Sequence, residues 1–221
     1  VSPLIEKDLD KALLSSVSAT YTLDRRNSRV DPTAGFLVSA TQEFAGLGGD
    51  VTFSKTSGRM KYYRSFFNED VVLSAEVEGG VLVAGGSGGT RFQDRFYLGG
   101  DRLRGFESHG VGPRDTAVVD GDALGGNYFA VARFEASFPI GLPEEYGLYG
   151  GVFLDVGAGW GLDNTSGDEE VDDSANMRSA LGVSLFWGSA LGPIRINLAY
   201  PLVKEDYDST ETFRLTLDTR F

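Results

Sequence analysis

A chain of 221 residues has room for one large domain or two small ones, and its 30 glycines, 2 methionines and 12% aromatic content suit strands joined by turns better than a helical bundle. Cysteine is absent and histidine occurs once, which excludes disulfide scaffolds, Cys-ligated metal centres and thiol nucleophiles and leaves little for metal or base chemistry. With 20 basic against 32 acidic residues the net charge is −12, so the basic face that phosphate binding needs is missing and no nucleic-acid partner is expected.

The mean hydropathy of −0.13 comes without an apolar run near 18 residues, which rules out membrane helices. It does not rule out a membrane barrel, whose strands alternate polar and apolar residues and average to near-neutral hydropathy. Val1 to Asp10 has neither a basic start nor an apolar core, so no signal peptide is read there, and an exported protein would be present in mature or trimmed form.

Along the chain the dominant signal is period two. Val17, Ala19, Tyr21 and Leu23 alternate first, then Phe36, Val38 and Ala40. A third segment runs from Val51 toward Phe66, and its alternation is lost around Thr56 to Arg59, which predicts a slip in register there. From Val71 to Val83 the odd positions are apolar, and the even face carries Ser74, Glu76 and Glu78. Tyr128 to Phe138 alternates around Arg133, Glu135 and Ser137, and Leu148 to Val156 around Phe153 and Asp155. Ser179 to Trp187 alternates around Gly182 and Ser184, following Arg178; Ile194 to Tyr200 alternates around Arg195 and Asn197. Phe213, Leu215, Leu217, Thr219 and Phe221 close the chain.

The total is about nine strands, each long enough for a tilted bilayer crossing of about 9 to 11 residues. Tight links at Phe67 to Asp70, Gly141 to Tyr146 and Gly188 to Gly192 fall on one side; long polar segments, 85–127 and 161–176, fall on the other. Short turns at one end and long loops at the other are the pattern of a transmembrane antiparallel β-barrel. A soluble β-sandwich also gives one apolar face per strand, and loop asymmetry and the aromatic C-terminus favour the barrel. Single-chain bacterial barrels use even strand numbers, so nine predicts either a further strand within Val1 to Ser15 or a chain that is the C-terminal part of a larger barrel; an edge left open in lipid favours the second.

The segment between the fourth and fifth of these strands carries the most specific signal. It reads Arg95-Phe96-Tyr97-Leu98-Gly99-Gly100-Asp101-Arg102-Leu103-Arg104-Gly105-Phe106, continues through Gly112-Pro113-Arg114-Asp115, and rejoins a strand at Leu124-Gly125-Gly126-Asn127. It resembles the large loop of the BamA superfamily of outer-membrane assembly and translocation barrels, in which an arginine-glycine-aromatic motif folds back into the lumen. Asp31-Pro32-Thr33-Ala34-Gly35, Phe153-Leu154-Asp155-Val156-Gly157, Trp187 through Leu191-Gly192-Pro193, Ala199-Tyr200-Pro201-Leu202 and the terminal Phe221 match in order, over nearly the whole chain. The likeness is greatest to α-proteobacterial members of the assembly branch, toward which Phe106 leans, with a TamA-like translocation barrel as the second reading.

The resemblance implies a barrel of about 16 strands, of which this chain would be the C-terminal portion, with upstream strands and periplasmic POTRA domains outside it. It implies insertion of client β-barrel proteins into the bacterial outer membrane, with lipoprotein partners and with lipid and lipopolysaccharide as surroundings. No enzyme chemistry, cofactor or metal is expected. The alternatives are a TamA-like or two-partner secretion translocation barrel of the same superfamily, or a passive porin.

Physical chemistry supplies roles for the motif. An arginine inside a lumen needs partners, and by alternation Glu135 and Asp155 point away from the apolar faces of neighbouring strands, within reach of the planar fork of Arg104. Gly105 permits the close turn at the tip, Phe106 completes the motif, and Gly99, Gly100, Gly112, Pro113, Arg114 and Asp115 are read as loop support. Phe213, Leu215, Leu217 and Phe221 resemble the terminal strand that pairs weakly with the first strand, at a seam that opens to template an incoming strand.

Other features read as ordinary. Gly85 to Gly89 lacks the Lys-Ser/Thr of a phosphate loop and is a loop base; Glu76 and Glu78 line a wet lumen; His109 has no nucleophile spaced for it. Asp168-Glu169-Glu170-Asp172-Asp173 lacks calcium-loop rhythm and is read as a solvated loop, with divalent bridging to lipopolysaccharide as the alternative. Asn164-Thr165-Ser166 is a formal glycosylation sequon with no meaning in a bacterial setting.

Overall fold

The structure is a computed structural model that describes residues 2–9, 11–86, 88–117, 121–163, 165, 171–189 and 192–217. After a short helix α1 (Pro3–Glu6), the chain forms β1 (Ser16–Asp24), β2 (Gly35–Ala45), β3 (Phe53–Phe66) and β4 (Val71–Ala84). Two short strands, β5 (Arg114–Asp115) and β6 (Asp122–Ala123), lie within the long loop. Then come β7 (Tyr128–Pro139), β8 (Leu148–Trp160), a short β9 (Val171–Asp172), β10 (Arg178–Ser189), β11 (Gly192–Val203) and β12 (Phe213–Leu217). Nine strands make one antiparallel sheet in the order β1-β2-β3-β4-β7-β8-β10-β11-β12, and β6-β5-β9 make a separate three-stranded sheet.

Alternation explains the large sheet. On β4, Leu73, Val77, Val81 and Val83 are exposed while Glu76 and Leu82 are buried; on β7, Tyr128 and Phe134 are exposed while Phe129 and Val131 are buried. On these strands one face therefore presents an apolar surface and the other a mixed, charged concavity, as a lipid face and a lumen face require. No helix among the described residues is long and apolar enough to cross a membrane.

The expected slip in the third strand does not occur. Gly35–Ala45 pairs with Tyr63–Phe53, and Phe53–Phe66 with Ala84–Val71, without interruption. What breaks is the apolar pattern, because Ser54 and Thr56 share the outward face with Met60 and Tyr62. Their polar groups are satisfied sideways: Gln42 Nε2 donates to Ser54 Oγ at 3.0 Å, and Thr56 Oγ1 donates to Gln42 Oε1 at 2.6 Å. The one register shift in the pairings of β10 with its neighbours is a bulge between Ser179 and Ala180, opposite β11.

The connections 67–70 and 140–147 leave one end of the sheet, together with 25–34, where the Asn27 side chain accepts from the Thr33 and Ala34 amides. Loops 46–52, 85–127, 161–177 and 204–212 leave the other. The described residues among 2–15 hold α1 and no strand, so a tenth strand there is not found. This stretch packs on the long loop instead: Ser2 N donates to Asp122 Oδ2, Phe92 N donates to Asp8 Oδ2 at 2.9 Å, and Leu4 is buried.

The core lies inside the concavity, not between two sheets. Phe96, Leu98, Leu103, Phe106 and Val111 from the long loop pack against Phe53, Leu82, Phe129 and Val131 of the wall. The inner face of the wall is thus covered by its own loop, whose five apolar side chains share one buried cluster with the wall strands.

Candidate functional site: an arginine latch in the lumen

The long loop enters the lumen through paired backbone. Phe96 and Gly126 exchange two hydrogen bonds at 2.9 and 2.8 Å, and Leu98 bridges Val111. The tip between them is folded back on itself: Gly100 N donates to Phe106 O at 2.9 Å, and at Gly99, with φ +113°, a Cβ would stand 1.8 Å from Glu107 O. That position admits only glycine.

The folded tip delivers Arg104 to the wall. Its backbone N donates to Asp155 Oδ2 at 3.1 Å, its Nε to the same oxygen at 2.7 Å and its Nη2 to Oδ1 at 2.6 Å, while Nη1 donates to Glu135. The guanidinium lies over the Phe153 ring at 3.6 Å, and Arg104 and Asp155 are 6% and 0% exposed. A fork meeting a carboxylate in two parallel bonds, stacked on an aromatic face, is geometry that lysine cannot reproduce. The expected contacts of Arg104 with Glu135 and Asp155 are both present.

Three participants were not anticipated in these roles. Arg195 of β11 donates to the same Glu135 and to Asn197 Oδ1, so one carboxylate neutralises two arginines. Arg133 of β7 donates to Glu76 Oε1 at 2.9 Å and Glu78 Oε2 at 2.7 Å, and its Nη1 donates to Arg102 O at 2.8 Å, gripping the loop backbone two residues before Arg104. Arg102 itself pairs with Glu78 at 3.2 Å. The inward positions of Arg133 and Arg195 follow from alternation; their carboxylate partners do not, since each ion pair joins different strands.

Gly105 and Phe106 lock the other side. Gly105 has φ +92°, and a Cβ there would stand 2.8 Å from Ala180 Cβ; Phe106 is fully buried. The motif is also paired with the segment before β12: Phe106 bridges Thr210, and Glu211 N donates to Gly105 O at 3.0 Å.

The support residues fall into two groups. Gly99 and Gly100 belong to the latch turn, whereas Gly112, Pro113, Arg114 and Asp115 lie at the mouth, where β5 pairs with β6 and β9. Pro113 O accepts from Leu124 N at 3.0 Å, and Arg114 donates to Gly121 O and His109 O. Burial pushes the Arg114 guanidinium below its ordinary pKa and the Tyr97 hydroxyl up to about 12, so Tyr97 remains a neutral donor to Phe92 O. His109 packs its ring on Tyr97 at 4.4 Å.

Phe213, Leu215 and Leu217 point outward and are more than half exposed, while Arg214 and Thr216 face inward. Phe221 lies outside the described residues, as do Asn164, Ser166 and Asp168 to Glu170. The remainder of that acidic run is not a solvated loop: Asp172 sits in β9, and Asp173 accepts from Gly161 N and Leu162 N. Burial opposes ionisation of Asp172, but bonds from the Ser174 amide and the Tyr207 hydroxyl outweigh it and hold the carboxyl below its ordinary pKa. Among the described residues no three His, Asp or Glu side chains converge as a metal site, and Glu76, Glu78, Glu135 and Asp155 are each committed to cations of the wall or loop.

A lipid-facing antiparallel wall whose concavity is filled by an inserted, arginine-latched loop defines a transmembrane barrel of the plugged class. The chain belongs to the Omp85 superfamily, whose domain matches residues 2–221. It is 35% identical over 209 residues to the outer membrane protein assembly factor BamA of Neorickettsia risticii, covering 95% of this chain and 28% of that protein. It is 35% identical over 151 residues to the human sorting and assembly machinery component 50 homolog, covering 67% of this chain and 31% of that one. The crystal structure of BamA from Haemophilus ducreyi lacking POTRA domains 1-3 superposes with a TM-score of 0.79 at 23% identity, over 90% of this chain and 41% of that one, which shows the shared barrel fold. The chain spans less than a third of the length of these curated relatives.

Proposed function

We propose that this chain is the C-terminal portion of a larger barrel in the bacterial outer membrane, whose remaining strands and periplasmic POTRA domains lie upstream, and that the whole protein folds and inserts client β-barrel proteins. The reading is carried by one observation: the loop bearing Arg104 is clamped to the wall by Asp155 and Glu135 and, through its backbone, to the segment that precedes β12. A plugged lumen suits a protein whose working surface is its wall and not its pore.

That working surface is the edge of β12, which pairs only with β11 among the described residues. An edge strand presents unsatisfied amides and carbonyls, which in lipid cost several kcal/mol each, so an incoming strand that bonds to them is stabilised before it meets hydrocarbon. The terminal strand pairs with the first strand of the full barrel at rest and releases it for a client. No covalent bond is made or broken, and no cofactor takes part. Clients, assembly lipoproteins and the lipid and lipopolysaccharide of the outer leaflet are the partners.

The test is client folding by the full-length protein in liposomes, followed by the gel shift between folded and unfolded client. Wild type accelerates folding over empty liposomes, and Arg104→Ala loses most of that acceleration. Equal client folding with and without the wild-type protein contradicts the reading.

A further inference from the structure

A second buried ion pair lies outside the latch. Arg178, at the start of β10, donates from Nε to Asp208 Oδ2 at 2.9 Å and from Nη2 to Oδ1 at 3.1 Å, and the two residues' side chains are 1% and 0% exposed. Arg178 Nη1 donates to Asn176 O at 2.7 Å, and Nη2 also donates to the Tyr207 hydroxyl, which in turn donates to Asp172 Oδ2 at 2.8 Å. All three guanidinium nitrogens and both carboxylate oxygens are hydrogen-bonded, which is the condition under which a buried charge pair persists. The long-range bond joins a wall strand to the loop 204–212, 30 residues away in sequence.

The same loop is stitched to the latch from its other side. Glu107 N donates to Ser209 O at 3.0 Å, Ser209 N to Gly110 O at 3.1 Å and Glu211 N to Gly105 O at 3.0 Å, around the bridge of Phe106 with Thr210. It then runs directly into β12: Ala199 N donates to Thr212 O at 2.9 Å, and the strand begins at Phe213. Within β12, Thr216 Oγ1 donates to Asp101 Oδ1 of the latch tip at 3.3 Å. Residues 204–212 thus form a strap held by β10 on one side and by the latch on the other, with the terminal strand at its end.

We propose that Arg178 and Asp208 are positioning residues for the terminal strand, the pair fixing the strap so that the edge of β12 and the latch loop are held, and released, as one unit. This rests on the assembly reading, in which release of that edge is the working step. Neither residue touches a client. The pair acts through the strap backbone, and the latch loop that Arg104 anchors bonds the same strap from the opposite side, so the coupling must be reciprocal.

Amide hydrogen exchange of the full-length protein in lipid nanodiscs tests this without any client, so its outcome is separate from that of the insertion assay. Asp208→Asn leaves a buried guanidinium half-paired, and exchange is expected to rise about tenfold or more at 204–217 and at 99–111 together. Wall amides at 131–137 and 150–156 stay protected. Arg104→Ala is expected to raise exchange at 204–217 in return. Should Asp208→Asn fail to assemble, Tyr207→Phe keeps both charges, removes the hydroxyl bonds, and predicts the same paired response at smaller amplitude. A rise confined to 204–212, an even rise over the whole wall, or an Arg104→Ala protein with unchanged exchange at 204–217 overturns the proposal.

Discussion

Arg104 meets Asp155 three times, once through its backbone amide at 3.1 Å and twice through its guanidinium at 2.7 and 2.6 Å, although 51 residues separate them. Asp155 is wholly buried, so the Arg104 donors take the place of the water that a carboxylate would otherwise bond. Arg104→Ala leaves an uncompensated carboxylate, and removing one member of such a pair costs about 3–5 kcal/mol. The expected outcome is earlier thermal unfolding in the gel-shift assay and protease cleavage within 99–111. Arg104→Lys keeps the charge and loses the fork, and is expected to fall between wild type and alanine. A wild-type melting profile for Arg104→Ala contradicts the latch.

Whether the contact is direct is settled by a double-mutant cycle on Arg104→Ala and Asp155→Ala. Residues in contact couple by about 0.5–3 kcal/mol, and the expected value lies in the upper half of that range because both groups are buried. Additive effects on unfolding remove direct pairing from the account.

Gly105→Ala isolates the backbone from the charge. Its Cβ would stand 2.8 Å from Ala180 Cβ at a φ of +92°, so steric contact and conformational strain act together. A loss of about 1–3 kcal/mol is expected. Adding Ala180→Gly relieves the contact but not the φ, so it restores part of the stability. No loss in Gly105→Ala, or no restoration on adding Ala180→Gly, shows that the tip is not packed against β10 as described.

The filled lumen makes an electrical prediction. The latch loop places Phe96, Leu98, Leu103 and Phe106 in the barrel interior, so deletion of 95–115 in the full-length protein is expected to raise single-channel conductance severalfold over wild type. A wild-type conductance that is already high, and unchanged by the deletion, would support a passive porin.

Much of this architecture was legible because long strands repeat every two residues. Val71–Val83 and Tyr128–Phe138 show their lipid and lumen faces directly, and nine strands form the wall, the last described over Phe213–Leu217. β3 departs from the expected slip because register and hydrophobicity are separate properties: Ser54 and Thr56 satisfy one another through Gln42, so a polar outward face persists in an unbroken ladder. Arg104, Glu135 and Asp155 were found because one lies in a recognisable motif and two lie on alternating strands. The Arg178–Asp208 pair had neither signal, since Asp208 stands in a loop without period. β5, β6 and β9 are two residues each, too short for any periodicity to register.

In the full-length protein, a cysteine replacing Phe213 and one on the facing first strand should form a disulfide that locks β12 in place; this chain contributes no other cysteine to compete. Client folding in liposomes is then measured for the crosslinked protein and again after reduction. The account predicts that insertion falls to the level of empty liposomes when crosslinked and returns on reduction. Full-rate insertion by completely crosslinked protein would contradict it.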